Sequence, residues 1–246
     1  MVAMLPLSKS IPLSRQESVM RIRGITKSFG QAPNSVEVLH GIDLDIRRGE
    51  LCLLMGPSGS GKTTLLTIMG LLLRPCGGEI QLCGRDVTSC SEASLPPIRR
   101  QNVAFIFQAF NLLSALTAAE NVQVGLELQG VRGRRAVSLS LELLDRVGLA
   151  DRADHLPAEM SGGEKQRVGV ARALGSPAPL ILADEPTGNL DGATSETIIR
   201  LLRRLAKEDD RAVVVVTHDG RLLPYADHVI KMEDGRIKES GKTHHD

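Results

Sequence analysis

The order of apolar and polar residues along the chain predicts two kinds of β-strand. Between positions 20 and 46, Ile42, Leu44 and Ile46 alternate with polar neighbours. That period of two indicates a half-exposed strand in an antiparallel edge region. Four other runs are continuously apolar, as in strands that are buried on both faces of a parallel sheet. These runs are 51–55, 103–107, 180–183 and 212–216.

Helical patterns separate the continuous runs. In the segment 194–206, apolar residues recur so that they fall on one stripe of a helix. The stripe consists of Ile198, Leu201, Leu202 and Leu205. Strands that alternate with helices indicate the α/β class.

The segment 108–160 has a different character, because it lacks a strand-like run. Its patterns at 118–128 and 136–149 are compatible with helices, and Gly130 and Gly133 mark a turn between them. We therefore expect a helical insertion in the α/β fold.

Composition limits the classes of partner. The chain has 246 residues, with 30 Lys and Arg against 29 Asp and Glu, so its formal net charge is +1. Bulk electrostatic binding of nucleic acid needs a clustered excess of Lys and Arg. The longest nearly apolar stretch, 65–73, is far shorter than the ~20 residues of a membrane-spanning helix. We expect one globular unit that binds no nucleic acid and does not itself cross a membrane.

A glycine-rich segment between a predicted strand and a predicted helix carries the strongest chemical signal. Residues 56–63 read GPSGSGKT and fit the pattern GxxxxGK[ST], after the run 51–55 and before a helical run at 64–73. Glycines let successive amide N–H groups point inward, and the following helix adds its positive end. The cradle suits a polyphosphate, with Lys62 neutralising phosphate oxygens and Thr63 coordinating Mg²⁺.

Two carboxylates end the buried run 180–183. Asp184 and Glu185 are costly at such a place unless cations or hydrogen bonds compensate them. Beside a phosphate loop, Asp184 would hold Mg²⁺ and Glu185 would polarise an attacking water as general base. Taken alone, the pair would be a turn or capping feature.

The segment 161–164 has two compatible interpretations. Ser161 and Glu164 have the spacing of a capping box that opens a helix over 165–174. A capped helix N-terminus that follows flexible glycine backbone is also an anion site. Two further polar residues follow predicted strands: Gln108 after 103–107, and His218 after 212–216. Ligands of open α/β sheets bind at such strand ends.

In their order along the chain, these pieces resemble the nucleotide-binding subunit of ATP-binding-cassette (ABC) transporters. The order is the phosphate loop, Gln108, 161–164, 184–185, 189–191 and His218. The likeness covers about residues 18–241. Within the family, the segments 110–117 and 186–191 are most similar to the branch of lipoprotein-release and macrolide-export ATPases and the cell-division cassette protein.

The resemblance implies a P-loop NTPase fold: a RecA-like parallel sheet core with an antiparallel β subdomain and a helical insertion subdomain. Within an ABC ATPase domain at 18–241, the core would comprise 18–107 and 166–241, and the helical subdomain 108–165. Residues 1–17 would form a poorly ordered extension and not a secretion signal. Residues 242–246 would form a tail.

The resemblance also implies roles for individual residues. ATP would be held by Gly56, Pro57, Ser58, Gly59, Ser60, Gly61, Lys62, Thr63 and Thr64. Phe29 would stack on adenine, although it could equally be a core residue. Gln108 would contact Mg²⁺ and the lytic water, and His218 would bond the γ-phosphate.

The remaining implied residues act between two copies. Ser161, Gly162 and Gly163 would reach the γ-phosphate bound by the opposite protomer, with Asp191 at the dimer seam. ATP would then join the copies, and hydrolysis would release them. Met160 and Glu164 stand where this family usually has leucine and glutamine. Glu164 adds a negative charge near a phosphate site, but the capping box directs it back to its own helix, so we expect little loss.

The partner implied by the resemblance is a separate membrane permease, mostly of the export type. The chain would then lie at the cytoplasmic face of the cell membrane. The docking surface would include Phe110, Leu112, Leu113 and Leu116, unless these residues are ordinary core of the helical subdomain. An alternative is a cell-division ATPase that signals without transport. A repair or translation ATPase is disfavoured because long insertions or a second cassette are missing, and a GTPase because no NKxD motif occurs.

Overall fold

The computed structural model describes residues 17–31 and 33–243, and it confirms the α/β class. The predictions for residues 1–16 and 244–246 lie outside the described residues. The strands are β1 Ser18–Phe29, β2 Val36–Arg47, β3 Leu51–Met55, β4 Gly77–Leu82, β5 Arg85–Asp86, β6 Val103–Ile106, β7 Leu180–Asp184, β8 Ala212–Thr217, β9 His228–Glu233 and β10 Arg236–Lys242. The helices are α1 Lys62–Met69, α2 Leu95–Asn102, α3 Ala118–Leu128, α4 Arg134–Arg146, α5 Gly162–Leu174 and α6 Gly192–Lys207. Short 3₁₀ turns span Glu92–Ser94, Ala150–Arg152, Pro157–Glu159 and Gly220–Tyr225.

The alternating segment forms an antiparallel sheet of its own. Its strand order is β2-β1-β4-β5, and β1 pairs antiparallel with both neighbours. The alternation in β2 is confirmed, because Ile42, Leu44 and Ile46 are all buried. Their polar neighbours point to the other face of the sheet.

The four continuous apolar runs become adjacent strands of a second sheet. Its order is β10-β9-β3-β8-β7-β6, with β3, β8, β7 and β6 parallel to one another. Both faces of this sheet are buried: Leu53 and Val213 belong to one apolar cluster, whereas Leu54 and Val214 belong to the other. A strand that must be apolar on both faces shows no alternation.

Helices fill the chain between β6 and β7, as the sequence predicts. The second helix, α4, starts at Arg134 directly after Gly133, two residues before the predicted 136–149, and it ends at Arg146, before Gly148 with its positive φ of 71°. The α5 helix starts at Gly162, three residues before the predicted start, because Ser161 is its N-cap. Among the described residues, no helix combines the length and the apolar character that crossing a bilayer requires.

The helix after the phosphate loop is shorter than its apolar pattern indicates. Helix α1 ends at Met69, whereas the apolar pattern extends to Leu73. A side chain on Gly70 would overlap the ring of Phe105, and Leu71 has a left-handed φ of 55°. The chain therefore turns at Gly70 to pass the β6 strand.

One buried amide fixes the segment that leads from Gln108 into the helical insertion. Asn121 is 1% exposed, and its Oδ1 accepts from the Leu113 N–H at 2.7 Å. Its Nδ2 lies 2.9–3.1 Å from the carbonyl oxygens of Leu113, Leu116 and Thr117. The Asn121 side chain thus supplies hydrogen bonds to backbone groups of residues 113–117, which regular secondary structure would otherwise supply.

We predict that Asn121→Ala lowers the free energy of unfolding by about 2 kcal/mol, which corresponds to a fall in Tm of about 4–8 °C. The control is Asn102→Ala, which removes a single bond to the Ile98 carbonyl at 2.8 Å. Thermal unfolding of both variants measures the difference. Equal losses in the two variants would contradict the role of Asn121.

Candidate active site

The predicted site residues meet at the carboxyl edge of the parallel sheet. The phosphate loop follows β3, Gln108 lies just beyond β6, Glu185 follows β7, and His218 follows β8. They line a cavity of about 700 Å³. Its lining residues are Val38, Gly56, Pro57, Ser58, Gly59, Ser60, Gly61, Lys62, Thr63, Thr64, Gln108, Glu185, Val216 and His218.

Two glycines give the phosphate loop its shape. Gly56 has a φ of 153°, and a side chain there would overlap the carbonyl oxygen of Met232. Gly61 has a φ of 94°, and its added Cβ would lie 2.8 Å from the Leu39 side chain. Larger residues are thus excluded at both ends of the loop by the strands behind it, which explains the glycines of the motif.

Lys62 places its ammonium inside the loop. Its Nζ donates to the carbonyl oxygens of Gly56 and Pro57 at 2.8 and 2.7 Å. Helix α1 begins at Lys62 behind the left-handed Gly61, without a side-chain cap and without an acidic residue in its first turn. Its free N–H groups and the ammonium therefore present positive charge to the cavity.

The predicted metal ligands Thr63 and Asp184 lie side by side. Thr63 Oγ1 is 3.5 Å from Asp184 Oδ1. Burial, and then the charge of Glu185, raises the pKa of Asp184, and the Thr63 bond and Lys62 oppose this only in part. The folded chain thus leaves the Asp184 charge incompletely compensated. A hydroxyl, a carboxylate and the nearby Gln108 amide are oxygen ligands that fit Mg²⁺.

Glu185 is held in a strained backbone conformation. Its φ is 45°, and its N–H donates to the Val216 carbonyl at 3.0 Å. A non-glycine residue with this φ costs free energy, and such strain is concentrated at functional sites. The carboxylate contacts His218, whose Nδ1 is 3.0 Å from Oε1, while Oε2 is buried with no hydrogen-bond partner in the described part of the chain. One oxygen of Glu185 is thus free to accept a proton.

Gln108 packs tightly against the chain beyond Glu185. An added Cβ on Gly188 would lie 3.0 Å from Gln108 Nε2, so this glycine admits the amide side chain. The Gly188 N–H donates to the Glu185 carbonyl at 3.0 Å. The Gln108 amide is therefore held close to the carboxylate residue.

A second group of predicted residues lies outside the cavity lining. Ser161 caps α5, accepting from Glu164 N–H at 3.2 Å, and Glu164 Oε2 accepts from Ser161 N–H at 2.7 Å, which confirms the capping box. A side chain on Gly163 would overlap Thr194, and one on Gly162 would lie 3.3 Å from the Leu190 side chain. The serine-glycine end thus packs on the start of α6.

Asp191 caps that same helix. It accepts from Thr194 N–H at 3.0 Å and from the Thr194 hydroxyl at 2.6 Å. Phe29 also lies outside the cavity lining: it is 45% exposed at the end of β1, and Lys27 Nζ lies 5.2 Å from its ring centroid. The described chain therefore gathers the phosphate loop, Gln108, Glu185 and His218, and keeps Phe29, Asp191 and the serine-glycine end apart from them.

Sequence reasoning missed Asn111, Arg172 and Val38, and it named Phe110 only for a docking surface. Phe110 and Asn111 both have left-handed φ values, 61° and 48°. The half-buried guanidinium of Arg172 donates to their carbonyl oxygens at 3.1 and 2.6 Å. Val38, from β2, lines the cavity. No local pattern marks these residues, since their partners lie far away along the chain.

Comparison with known proteins agrees with this geometry. A family model described as ABC transporter matches residues 39–188. The lipoprotein-releasing system ATP-binding protein LolD of Geobacter metallireducens is 43% identical over 220 residues, which cover 89% of this chain and 98% of that protein. LolD of Chromohalobacter salexigens is 39% identical over 226 residues, covering 92% of this chain and 95% of that protein.

Other matches are a longer relative and a solved structure. An uncharacterised ABC transporter ATP-binding protein of Mycobacterium tuberculosis is 45% identical over 213 residues, which cover 87% of this chain but 64% of that protein. A dimeric structure of the ATP-binding cassette MJ0796, in a post-hydrolysis state bound to ADP and Pi, superimposes with a TM-score of 0.85 and 37% identity. The superposition covers 92% of this chain and 99% of that chain.

The raised pKa of Asp184 gives a prediction of definite sign. Above its folded pKa, Asp184 is ionised in both states, and the folded state disfavours the charge, so Asp184→Asn should raise Tm by about 1–3 °C. The gain should be full at pH 8 and should shrink as the pH falls through the folded pKa towards about 4, because the folded-state carboxyl then becomes protonated.

The control is Asp219→Asn. The Arg221 hydrogen bond lowers the pKa of Asp219, so removing its charge should lower Tm at pH 8. Thermal unfolding from pH 4 to 8 without nucleotide measures both variants. A fall in Tm for Asp184→Asn would show that the Asp184 charge is already compensated.

Proposed function

Because the chain belongs to the ABC transporter family, whose members are ATPases, we propose that two copies close around ATP to drive a separate export-type permease. One observation carries this proposal: the phosphate loop and the Glu185–His218 pair line one cavity, whereas the serine-glycine end of α5 lies outside its lining. The cavity and the serine-glycine end would each form half of an ATP site, and a second copy would supply the other half. The dimeric state of the MJ0796 cassette supports this arrangement.

The triphosphate would lie in the loop that precedes α1. The Lys62 ammonium, now on two loop carbonyls, would bind the β- and γ-phosphate oxygens, and the free N–H groups of the loop and α1 would bind the rest. Phe29, which is exposed at the end of β1, would stack on adenine. The residues that would hold ATP are Gly56, Pro57, Ser58, Gly59, Ser60, Gly61, Lys62, Thr63 and Thr64.

Thr63, Asp184 and Gln108 would hold Mg²⁺, because they bring together oxygen ligands and a carboxylate whose charge the chain does not balance. When bound, the ion neutralises phosphate charge. The proposed ligands come from α1, β7 and the segment after β6, so their placement depends on the register of the sheet.

Glu185 would be the general base. Its unpartnered Oε2 would accept a proton from the attacking water, while Oε1 stays on His218. His218 Nδ1 lies 3.0 Å from Glu185 Oε1, and its Nε2 would bond to a γ-phosphate oxygen. The imidazole is largely exposed, so it can reach a substrate that enters from the cavity mouth.

The second copy would contribute the end of α5. Ser161, Gly162 and Gly163 would present a hydroxyl and free N–H groups to the γ-phosphate across the seam, where helix ends attract anions. Asp191 holds the start of α6 against this end and would lie at the same seam. Hydrolysis then removes the γ-phosphate bridge and lets the copies part.

The permease would dock where the helical insertion meets the core. A groove there is lined by the stacked rings of Phe105 and Phe107, 5.4 Å apart, and by the exposed side chains of Leu72 and Leu128. The predicted surface lies next to it along the chain, and its Leu113 is 51% exposed. Arg99, Arg100 and Arg172 also line the groove, so a short apolar segment with an acidic residue fits it.

The names of the relatives bear on the cargo and the location. Two relatives of matching length are lipoprotein-releasing system ATP-binding proteins, so we propose a permease of that type as the partner. The chain would then sit at the cytoplasmic face of the membrane through this partner. The division proposed from the sequence stays the same: core 18–107 and 166–241, helical subdomain 108–165.

We predict that Glu185→Gln lowers ATP turnover by at least about 100-fold and leaves MgATP affinity within about threefold, because the amide cannot accept the proton. The control is Glu142→Gln, an exposed residue of α4, which should hydrolyse ATP at the parent rate. Steady-state ATPase assays and equilibrium binding measure both. Parent-rate turnover of the Glu185 variant would contradict the assignment of the base.

Lys62→Ala should instead weaken nucleotide binding itself, by at least about tenfold, because a charge-assisted bond to phosphate is lost. Lys242→Ala, which removes an exposed ammonium paired with Glu50, serves as the control. Titration of a fluorescent ATP analogue gives the dissociation constants. An unchanged constant for the Lys62 variant would rule out the phosphate loop as the ATP site.

A further inference from the structure

Glu164 places a carboxylate in the first turn of the helix whose N-terminus is proposed to bind phosphate. Its Oε2 accepts from the Ser161 N–H at 2.7 Å, and its side chain is largely buried. The bond from the Ser161 backbone lowers the pKa of Glu164 to about 2, with a further contribution from Arg152. The carboxylate is therefore ionised wherever the protein works.

Arg152 meets the other oxygen of this carboxylate. Its Nε lies 3.1 Å from Glu164 Oε1, and the two residues are 12 positions apart. Arg152 ends the 3₁₀ turn Ala150–Arg152 in the helical insertion, where its N–H donates to the Leu149 carbonyl at 3.1 Å. Its carbonyl accepts from His155 N–H at 3.1 Å. The turn thus fixes the backbone from which the guanidinium reaches α5.

The charge balance at this helix end decides what it can bind. The N-terminus of a helix carries about half a positive charge, which one uncompensated carboxylate in the first turn would outweigh. A γ-phosphate brought to Ser161 and Gly163 would then meet a net negative site. Arg152 counters this charge, because its guanidinium lies 3.1 Å from the Glu164 carboxylate, closer than the 3.7 Å to the exposed carboxylate of Asp151.

We propose that Arg152 is a positioning residue for ATP-dependent closure: it neutralises Glu164, so that the serine-glycine end of α5 stays attractive to the γ-phosphate held by the other copy. This inference rests on the proposed ATP-joined dimer. It assigns Arg152 a role that exists only because position 164 carries a carboxylate.

A purely structural role for the same ion pair makes a different prediction. If the ion pair only holds the 3₁₀ turn against α5, then removing either partner breaks it. The single variants Arg152→Ala and Glu164→Gln should then weaken dimerisation equally. If Arg152 neutralises charge, then only its own removal harms closure. Glutamine at position 164 keeps the capping box, since its carbonyl can still accept from Ser161 N–H.

The experiment measures the dimer dissociation constant by sedimentation, with MgATP, in the Glu185→Gln background. Arg152→Ala should raise this constant about tenfold at ~50 mM salt, because both seams of the dimer are affected. The effect should shrink at ~500 mM salt, where exposed charges are screened. Adding Glu164→Gln should restore the constant to within about twofold, and Glu164→Gln alone should leave dimerisation no weaker than in the parent.

Two controls guard against trivial effects. Arg204→Ala removes an equal charge from an exposed pair on α6, where Arg204 Nε lies 3.2 Å from Glu208 Oε1, and it should leave the dimer constant unchanged. Arg152→Lys keeps the charge and should dimerise within about threefold of the parent. It also tests the proposal if the alanine variant does not fold.

The outcomes distinguish a failure of the proposed function from a failure of the role proposed for Arg152. If the parent background stays monomeric with MgATP, the proposed function is wrong, and this inference is wrong with it. If the parent dimerises but Arg152→Ala has no effect, only the inference is wrong. It is also overturned if Glu164→Gln alone is as harmful as Arg152→Ala, or if the double variant stays weak.

Discussion

Compensation of negative charge is the constraint on which the rest of this structure depends. In the proposed dimer, a triphosphate would approach three carboxylates, those of Asp184, Glu185 and Glu164. Their partners differ: Glu185 Oε1 lies 3.0 Å from His218 Nδ1, and Glu164 Oε1 lies 3.1 Å from Arg152 Nε. The raised pKa of Asp184 indicates a charge that the chain itself does not fully balance. In the proposed site, the Lys62 ammonium and the uncapped N-terminus of α1 would supply the positive charge for phosphate.

Contacts between neighbouring strands and segments hold these charged groups in place. The parallel sheet aligns the ends of four strands, and the strained Glu185 backbone is tied to Val216 on the neighbouring strand. On the other side, Arg172 holds two left-handed residues just beyond Gln108, and the Phe110 ring lies 3.9 Å from the Cβ position of Gly162. A shift of the segment after Gln108 would therefore displace the serine-glycine end of α5 directly.

What the sequence predicts well is what depends on neighbours along the chain. The four buried strands are visible as apolar runs because both faces of the sheet are covered, and the phosphate loop and the Ser161–Glu164 capping box are local patterns. Helix α1 ends early because Gly70 meets Phe105, and nothing near position 70 in the sequence indicates that contact. The Arg152–Glu164 and Arg172–Phe110 pairs likewise depend on packing between distant segments. The sequence marks Glu164 as part of a capping box and as a departure from its family, but it does not indicate Arg152 as its partner.

The central claim is that each ATP is held by the phosphate loop of one copy and the serine-glycine end of the other. Mixing two inactive variants tests it most directly. Lys62→Ala disables the loop, and Ser161→Glu, at an exposed position, blocks the helix end. In a mixed dimer both defects then fall on one site, and the other site is intact. The account predicts that an equal mixture hydrolyses ATP at about a quarter of the parent rate, since half of the dimers are mixed and each has one working site. A mixture as inactive as its separate components would contradict the claim.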